Sequence, residues 1–102
     1  MIALRPRPVE LDELLEDVLA RVRPLGDRAW ALDPPTGVAI VADPDRLAQA
    51  LLNLAGNAVR HTATGARIEL GARVAGQEAR LWVQDEGTGI SPEDQARIFE
   101  RF

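Results

Sequence analysis

Residues 43–60, "DPDRLAQALLNLAGNAVR", restrict the possible folds more than any other stretch of this chain. Asp43 offers a side-chain oxygen to the free amides at a helix start, and Pro44 has the fixed φ and missing N–H that suit the first helical position. From there Leu47, Leu51, Leu54 and Ala58 recur at three- and four-residue steps and form one apolar stripe. Gln49, Asn53, Asn57 and Arg60 form another. A helix reaching to about Arg60 with one apolar stripe must lay it on a layer of structure, and its other stripe then faces something polar.

The remaining apolar runs supply that layer. Arg28 to Asp33 and Val38 to Ala42 read as short strands separated by the breaker cluster "PPTG". Arg67 to Val74 and Ala79 to Gln84 read as two more, joined by "AGQE" as a hairpin. Between Val9 and Leu25, Leu11, Leu14, Leu15, Val18, Leu19 and Val22 keep helical spacing, with acids toward the start and Arg toward the end as the helix dipole prefers. The final "DEGTGISPEDQARIFERF" reads as a loop and then a short helix starting at Ser91-Pro92-Glu93. Helical and strand patterns alternate, as in an α/β fold.

Composition narrows the chemistry. A length of 102 residues with 46% hydrophobic content suffices for one small core. Acidic residues outnumber basic ones, 16 to 12, without a basic cluster, which argues against nucleic acid or an anionic membrane as partner. There is no cysteine and one histidine, so a disulfide scaffold or structural zinc site is not expected. Every basic side chain is Arg, which excludes the lysine of a P-loop. "GVAIVA" is far too short to span a bilayer and the amino terminus has no signal-peptide pattern, so the expectation is a soluble, cytoplasmic chain.

Two stretches carry chemistry. Asn is a poor helix former, and surface helix positions usually hold Glu, Lys, Gln or Arg, so Asn53 and Asn57 on one face need a reason beyond solvation. A neutral amide oxygen suits Mg²⁺, which takes oxygen ligands and is commonly held by one or two protein groups together with a nucleotide's phosphates. Asn57 is therefore a candidate magnesium ligand; the plain alternative is a solvated polar stripe. "DEGTGI", Asp85 to Ile90, sets an acid at a strand end before two glycines. A Rossmann fingerprint is excluded because its third glycine would fall at Pro92, and a simple Gly-rich turn is the plain alternative. An ionised Asp85 only accepts hydrogen bonds, so in a pocket it would accept from adenine's exocyclic amine and reject guanine's carbonyl.

Together these stretches resemble the ATP-binding catalytic domain of two-component sensor histidine kinases, which is related to DNA gyrase, heat-shock chaperones, mismatch-repair ATPases and anti-sigma-factor serine kinases. "LLNLAGNAVRHT" is similar to the N box (53–62), "DEGTGI" to the first glycine box (85–90) and "IFERF" to the phenylalanine box (98–102) that opens the ATP lid. "VADPDRLAQAL" and "PVELDELLEDVLARVRPL" are also similar to that family, so the resemblance covers nearly all of residues 1–102, read as one partial domain. It implies a two-layer α/β sandwich, the Bergerat fold, with helices on one face of a mixed sheet, incomplete at the carboxy terminus. It implies ATP and Mg²⁺ as cofactors, with Asn57 chelating magnesium and Asp85 binding the adenine amine. Asn53 and Arg60 would lie beside the phosphates and His61 near the base. Gly87 and Gly89 would let the chain turn against the nucleotide, with Ile90 alongside.

One position separates the relatives: gyrase, the chaperones, the mismatch-repair ATPases and the anti-sigma kinases carry glutamate where this chain has Asn53. An amide cannot take a proton from water or a serine hydroxyl, whereas a neutral imidazole has its own lone pair. The resemblance thus implies phosphoryl transfer to a histidine on a separate dimerisation domain, with a response regulator as downstream partner. An anti-sigma serine kinase is disfavoured by Asn53, and a non-catalytic interaction domain is the competing reading. His61, inside the N box, is not the acceptor. Because the family continues past Phe102 through a lid and a second glycine-rich box, these residues alone are expected to be inactive and to bind ATP weakly or not at all. The strand Ala79 to Gln84 is expected to present an open edge, with self-association through Phe99 and Phe102.

Overall fold

A computed structural model describes residues 5–33, 37–85 and 96–101. The elements are β1 (Arg7–Glu10), α1 (Leu11–Val22), a 3-10 turn (Arg23–Leu25), β2 (Ala29–Asp33), β3 (Ala39–Ala42), α2 (Pro44–Arg60), β4 (Arg67–Ala75), β5 (Glu78–Asp85) and β6 (Ala96–Arg101). The larger sheet has the order β2-β4-β5-β6, with β2 parallel to β4 and the other pairs antiparallel. It is mixed, as expected. β1 and β3 form a separate antiparallel ribbon.

Alternation along the strands decides what is buried. Ile68, Leu70 and Ala72 of β4 and Ala79, Leu81 and Val83 of β5 join Leu11, Leu15, Val18 and Val22 of α1 and Leu47, Leu51, Ala55 and Ala58 of α2 in one apolar cluster. Both helices therefore cover the same face of the sheet, and the two-layer α/β sandwich follows. On the other face Trp82 lies across Gly71, its cross-strand partner, where an added Cβ would stand 2.3 Å from the indole. Arg73 and Arg80 flank that ring at 5.7 and 5.4 Å from its centroid, and Arg73 also pairs with Asp33 at 2.7 Å. The hairpin joining β4 to β5 turns at Gly76, whose φ of 60° suits a two-residue loop.

Three sequence expectations change. The first helix starts at Leu11 and not at Val9, because residues 7–10 pair with β3. The short helix expected from Ser91 does not extend over 96–101: these residues are β6, paired with Glu78–Val83, while 91–95 lie outside the described residues. Ile98 of β6 packs on the core and Arg97 and Phe99 are exposed, a period-two pattern that the capping signal Ser91-Pro92-Glu93 overshadowed. The open edge expected on β5 is consequently absent, since its N–H and C=O groups pair with β6, and the basis for association through that strand goes with it. Phe99 is 57% exposed, and Phe102 lies outside the described residues.

Candidate functional site

The site is built on α2, which is fixed at both ends. At its start Asp43 Oδ1 accepts from the amides of Asp45 (3.1 Å) and Arg46 (3.3 Å), and Oδ2 accepts from the Arg5 amide at 3.1 Å. These bonds, the one from Arg5 foremost, hold the Asp43 carboxyl below its ordinary range by stabilising the anion. At the other end Arg28 lies across the last carbonyls. Its Nη2 donates to the oxygens of Val59 and Thr62, both at 2.9 Å, and its Nε to Thr62 Oγ1 at 2.8 Å. Thr62 Oγ1 in turn donates to the Ala58 carbonyl at 2.7 Å. A guanidinium at this end also meets the negative pole of the helix.

With the ends fixed and the apolar stripe buried, Gln49, Asn53, Asn57 and Arg60 stand exposed along one side of α2. Gln49 Nε2 donates to Asn53 Oδ1 at 3.3 Å, and Arg60 Nη2 donates to Asn57 Oδ1. The Asn57 amide oxygen is thus already turned toward positive charge. Asn53, Asn57 and Arg60 line a cleft of about 640 Å³ together with Arg21 of α1, Leu25 of the 3-10 turn, and Leu52 and Gly56 of α2. That volume falls in the range of small-molecule sites. Among the described residues its lining holds two guanidiniums and two primary amides, with no carboxylate. Among the described residues no three His, Cys, Asp or Glu side chains gather to hold a metal ion. A divalent cation at this cleft would need oxygens brought by a ligand, which suits magnesium arriving with phosphates.

Asp85 ends β5, half-buried and opposite Ile68, and is not part of the cleft lining. His61 is the C-cap of α2, its amide donating to the carbonyls of Asn57 (3.1 Å) and Ala58 (3.3 Å), and its side chain is exposed outside the cleft. Gly87, Gly89 and Ile90 lie outside the described residues. Of the residues expected from sequence, the fold therefore joins Asn53, Asn57 and Arg60 in one cleft. Arg21 and Leu25 were not anticipated there, because only the packing of α1 and the 3-10 turn beside α2 brings them in, and Leu52 and Gly56 of α2 line the cleft between the two. Arg28 was equally hidden: it precedes a strand, and nothing local marks it as the clamp on a helix 31 residues away.

Comparison with known proteins identifies the family and the fold. Residues 42–102 match the family described as histidine kinase-, DNA gyrase B- and HSP90-like ATPase. The sensor-like histidine kinase SenX3 of Mycobacterium tuberculosis is 33% identical over 97 residues, covering 92% of this chain and 24% of that protein. The sensor histidine kinase AruS of Pseudomonas aeruginosa is 43% identical over 102 residues, 90% of this chain and 10% of that protein. The chain thus spans about a quarter of the length of relatives such as SenX3. Among solved structures, a histidine kinase from Burkholderia phymatum superposes with a TM-score of 0.75 at 31% identity, covering 84% of this chain and 42% of that one. Full-length ShkA in complex with AMPPNP superposes at 0.71 with 37% identity, over 90% of this chain and 21% of that one. No helix among the described residues is long and apolar enough to cross a membrane. The chain belongs to the histidine kinase-, DNA gyrase B- and HSP90-like ATPase family and is an ATP-binding catalytic domain of the sensor histidine kinase type.

Proposed function

We infer that the amide face of α2 holds magnesium ATP and positions its terminal phosphate for transfer to a histidine on a separate dimerisation domain. The observation that carries this reading is the cleft lining, which among the described residues joins two amides with two guanidiniums and contains no carboxylate. Asn57 Oδ1 would be the protein oxygen for magnesium, which when bound would supply neutralisation of phosphate charge. Arg60 donates to that oxygen and would be the cationic side chain beside the phosphates. Asn53, held by Gln49, offers amide hydrogens to phosphate oxygens. Asp85 accepts from the adenine amine, with Gly87, Gly89 and Ile90 of the same box and the exposed His61 bordering the base.

Among the described residues the lining supplies no general base, which favours an acceptor that attacks without first losing a proton. Neutral imidazole has a basic, nucleophilic lone pair, whereas a hydroxyl is weakly nucleophilic until its proton is removed. Catalysis then rests on positioning and charge stabilisation, the usual source of rate in phosphoryl transfer. Binding of AMPPNP by ShkA supports ATP as the nucleotide here. ThkA, known in complex with the response regulator TrrA, supports a response regulator as the next phosphoryl acceptor. Such a domain works in the cytoplasm, where ATP is. In the kinase that carries this domain, Asn57→Ala is expected to abolish magnesium-dependent autophosphorylation while leaving the thermal midpoint near wild type, since Asn57 is exposed. Full activity in that variant would remove the assignment.

A further inference from the structure

Asn57 and Arg60 belong to the last turn of α2, and the end of a helix is where it frays most readily. The cap at Asp43 stands roughly 20 Å from Asn57 along the axis, at about 1.5 Å per residue, and cannot hold that turn. The buried residues of the helix end with Ala58. Beyond it the turn is gripped from the side by residues 26–28, between the 3-10 turn and β2. The half-buried Arg28 reaches the carbonyls of Val59 and Thr62 and the Thr62 hydroxyl, which passes the grip on to the Ala58 carbonyl. Its Nη1 donates to the Asp27 carbonyl at 2.9 Å, so the guanidinium is also tied to its own segment. None of these acceptors is a carboxylate: the fixed fork of donors is turned on the helix end. The segment that carries it is itself held. Gly26 is pressed so closely on α2 that an added Cβ would stand 3.0 Å from Val59 Cγ1, and its carbonyl accepts from the Trp30 indole at 3.3 Å. The Asp27 carbonyl accepts from the Gly65 amide at 2.8 Å, and the Ala29 amide donates to the Ala66 carbonyl at 2.9 Å.

We propose that Arg28, acting through Thr62 and the end carbonyls of α2, is a positioning residue for magnesium: it keeps the last turn closed so that Asn57 Oδ1 and Arg60 stand where the cation and the phosphates require them. Magnesium demands near-ideal octahedral geometry with oxygens at about 2.0–2.1 Å, so it tolerates a displaced ligand poorly. Groups that orient a metal ligand without touching the metal typically contribute about 10–100-fold to metal affinity or activity. Asn53 lies one turn nearer the helix start, outside the reach of the clamp, so contacts made there do not depend on it. Arg28 is not among the residues of the cleft lining and touches neither cation nor nucleotide. The proposal rests on the nucleotide reading above and adds the residue that sets its geometry.

The test uses the kinase carrying this domain, with Arg28→Ala, Thr62→Val and Thr62→Ser studied at a temperature well below each thermal midpoint. ATP affinity is titrated with magnesium and with EDTA, and amide hydrogen exchange is followed at His61, whose N–H donates to the Asn57 carbonyl at 3.1 Å. In Arg28→Ala the gain in affinity that magnesium brings is expected to fall about tenfold, while affinity in EDTA stays within about twofold of wild type and exchange at His61 quickens. Thr62→Val keeps the side chain's shape but removes the hydroxyl, and should move both readouts the same way by a smaller factor. Thr62→Ser keeps the hydroxyl and should match wild type. An unchanged magnesium gain in Arg28→Ala and Thr62→Val, whatever their thermal midpoints, would overturn the proposal and leave Arg28 a cap for the helix alone. Equal losses with and without magnesium would overturn it as well. Asn57→Ala tells the two readings apart: a magnesium gain that survives in that variant defeats the magnesium assignment and the clamp's role with it. A gain lost in Asn57→Ala but kept in the clamp variants defeats the clamp's role only.

Discussion

At the scale of single residues, the site separates into groups defined by what their atoms can donate or accept. Asp85 as a carboxylate accepts only, so Asp85→Asn offers a group able to donate as well and should relax the preference for adenine over guanine. Losing a hydrogen bond to a charged group typically costs about 1.5–3 kcal/mol, roughly ten- to a hundredfold in affinity. A nucleotide panel measured on the kinase would check this, and an undiminished ATP preference would count against the role of Asp85. Asp43 gives a second prediction with a definite sign. Its folded carboxyl titrates below the unfolded value because the amides of Arg5, Arg46 and Asp45 stabilise its charge. That contribution is fully present above the unfolded value of about 3.9 and is lost as pH falls through the lower folded value. Asn retains a capping oxygen but does not titrate. The stability advantage of wild type over Asp43→Asn should therefore shrink as pH drops from about 5 toward 2, as urea unfolding at several pH values would measure. A constant difference would show that the charge on Asp43 does not matter.

At the scale of elements, α2 was legible because its signals are local and agree: Asp43-Pro44 caps it, one stripe is apolar, and the other carries the amides. The β4–β5 hairpin was legible for the same reason, with Gly76 at its turn. What escaped depends on distant partners. β1 is "RPVE", four residues with a proline, and becomes a strand only because β3 pairs with it. β6 carries a stronger local helix signal just before it than strand signal within it, and the free side of β5 decides the outcome. The carboxy-terminal clamp on α2 was equally unreadable, since Arg28 reaches Val59 and Thr62 only after β2 has docked beside β4. Arg28→Ala should lower stability by about 2 kcal/mol, because the carbonyls of Val59 and Thr62 lose a charged donor. Arg28→Lys should recover little, as a single ammonium cannot span three acceptors. Chemical denaturation would check both, and a wild-type midpoint for Arg28→Ala would show that the clamp is ornamental to the fold.

At the scale of the whole molecule, the sheet presents one face to two helices and the other to Trp82 with its flanking arginines, and the candidate site belongs to the helical side. The amide pair on α2 pointed to that side from sequence, whereas the far wall of the cleft, with Arg21 and Leu25, emerged only from the packing of α1 and the 3-10 turn beside α2. The central claim is that the nucleotide seats on this face through magnesium. Amide NMR of the isotope-labelled chain titrated with ATP, with magnesium and then with EDTA, tests it most directly and registers weak binding as well as strong. Magnesium-dependent shifts concentrated at Asn53, Asn57, Arg60 and Asp85, and absent in Asn57→Ala, are the expected result. Shifts that ignore magnesium, or that centre on Trp82 and the outer sheet face, would contradict it.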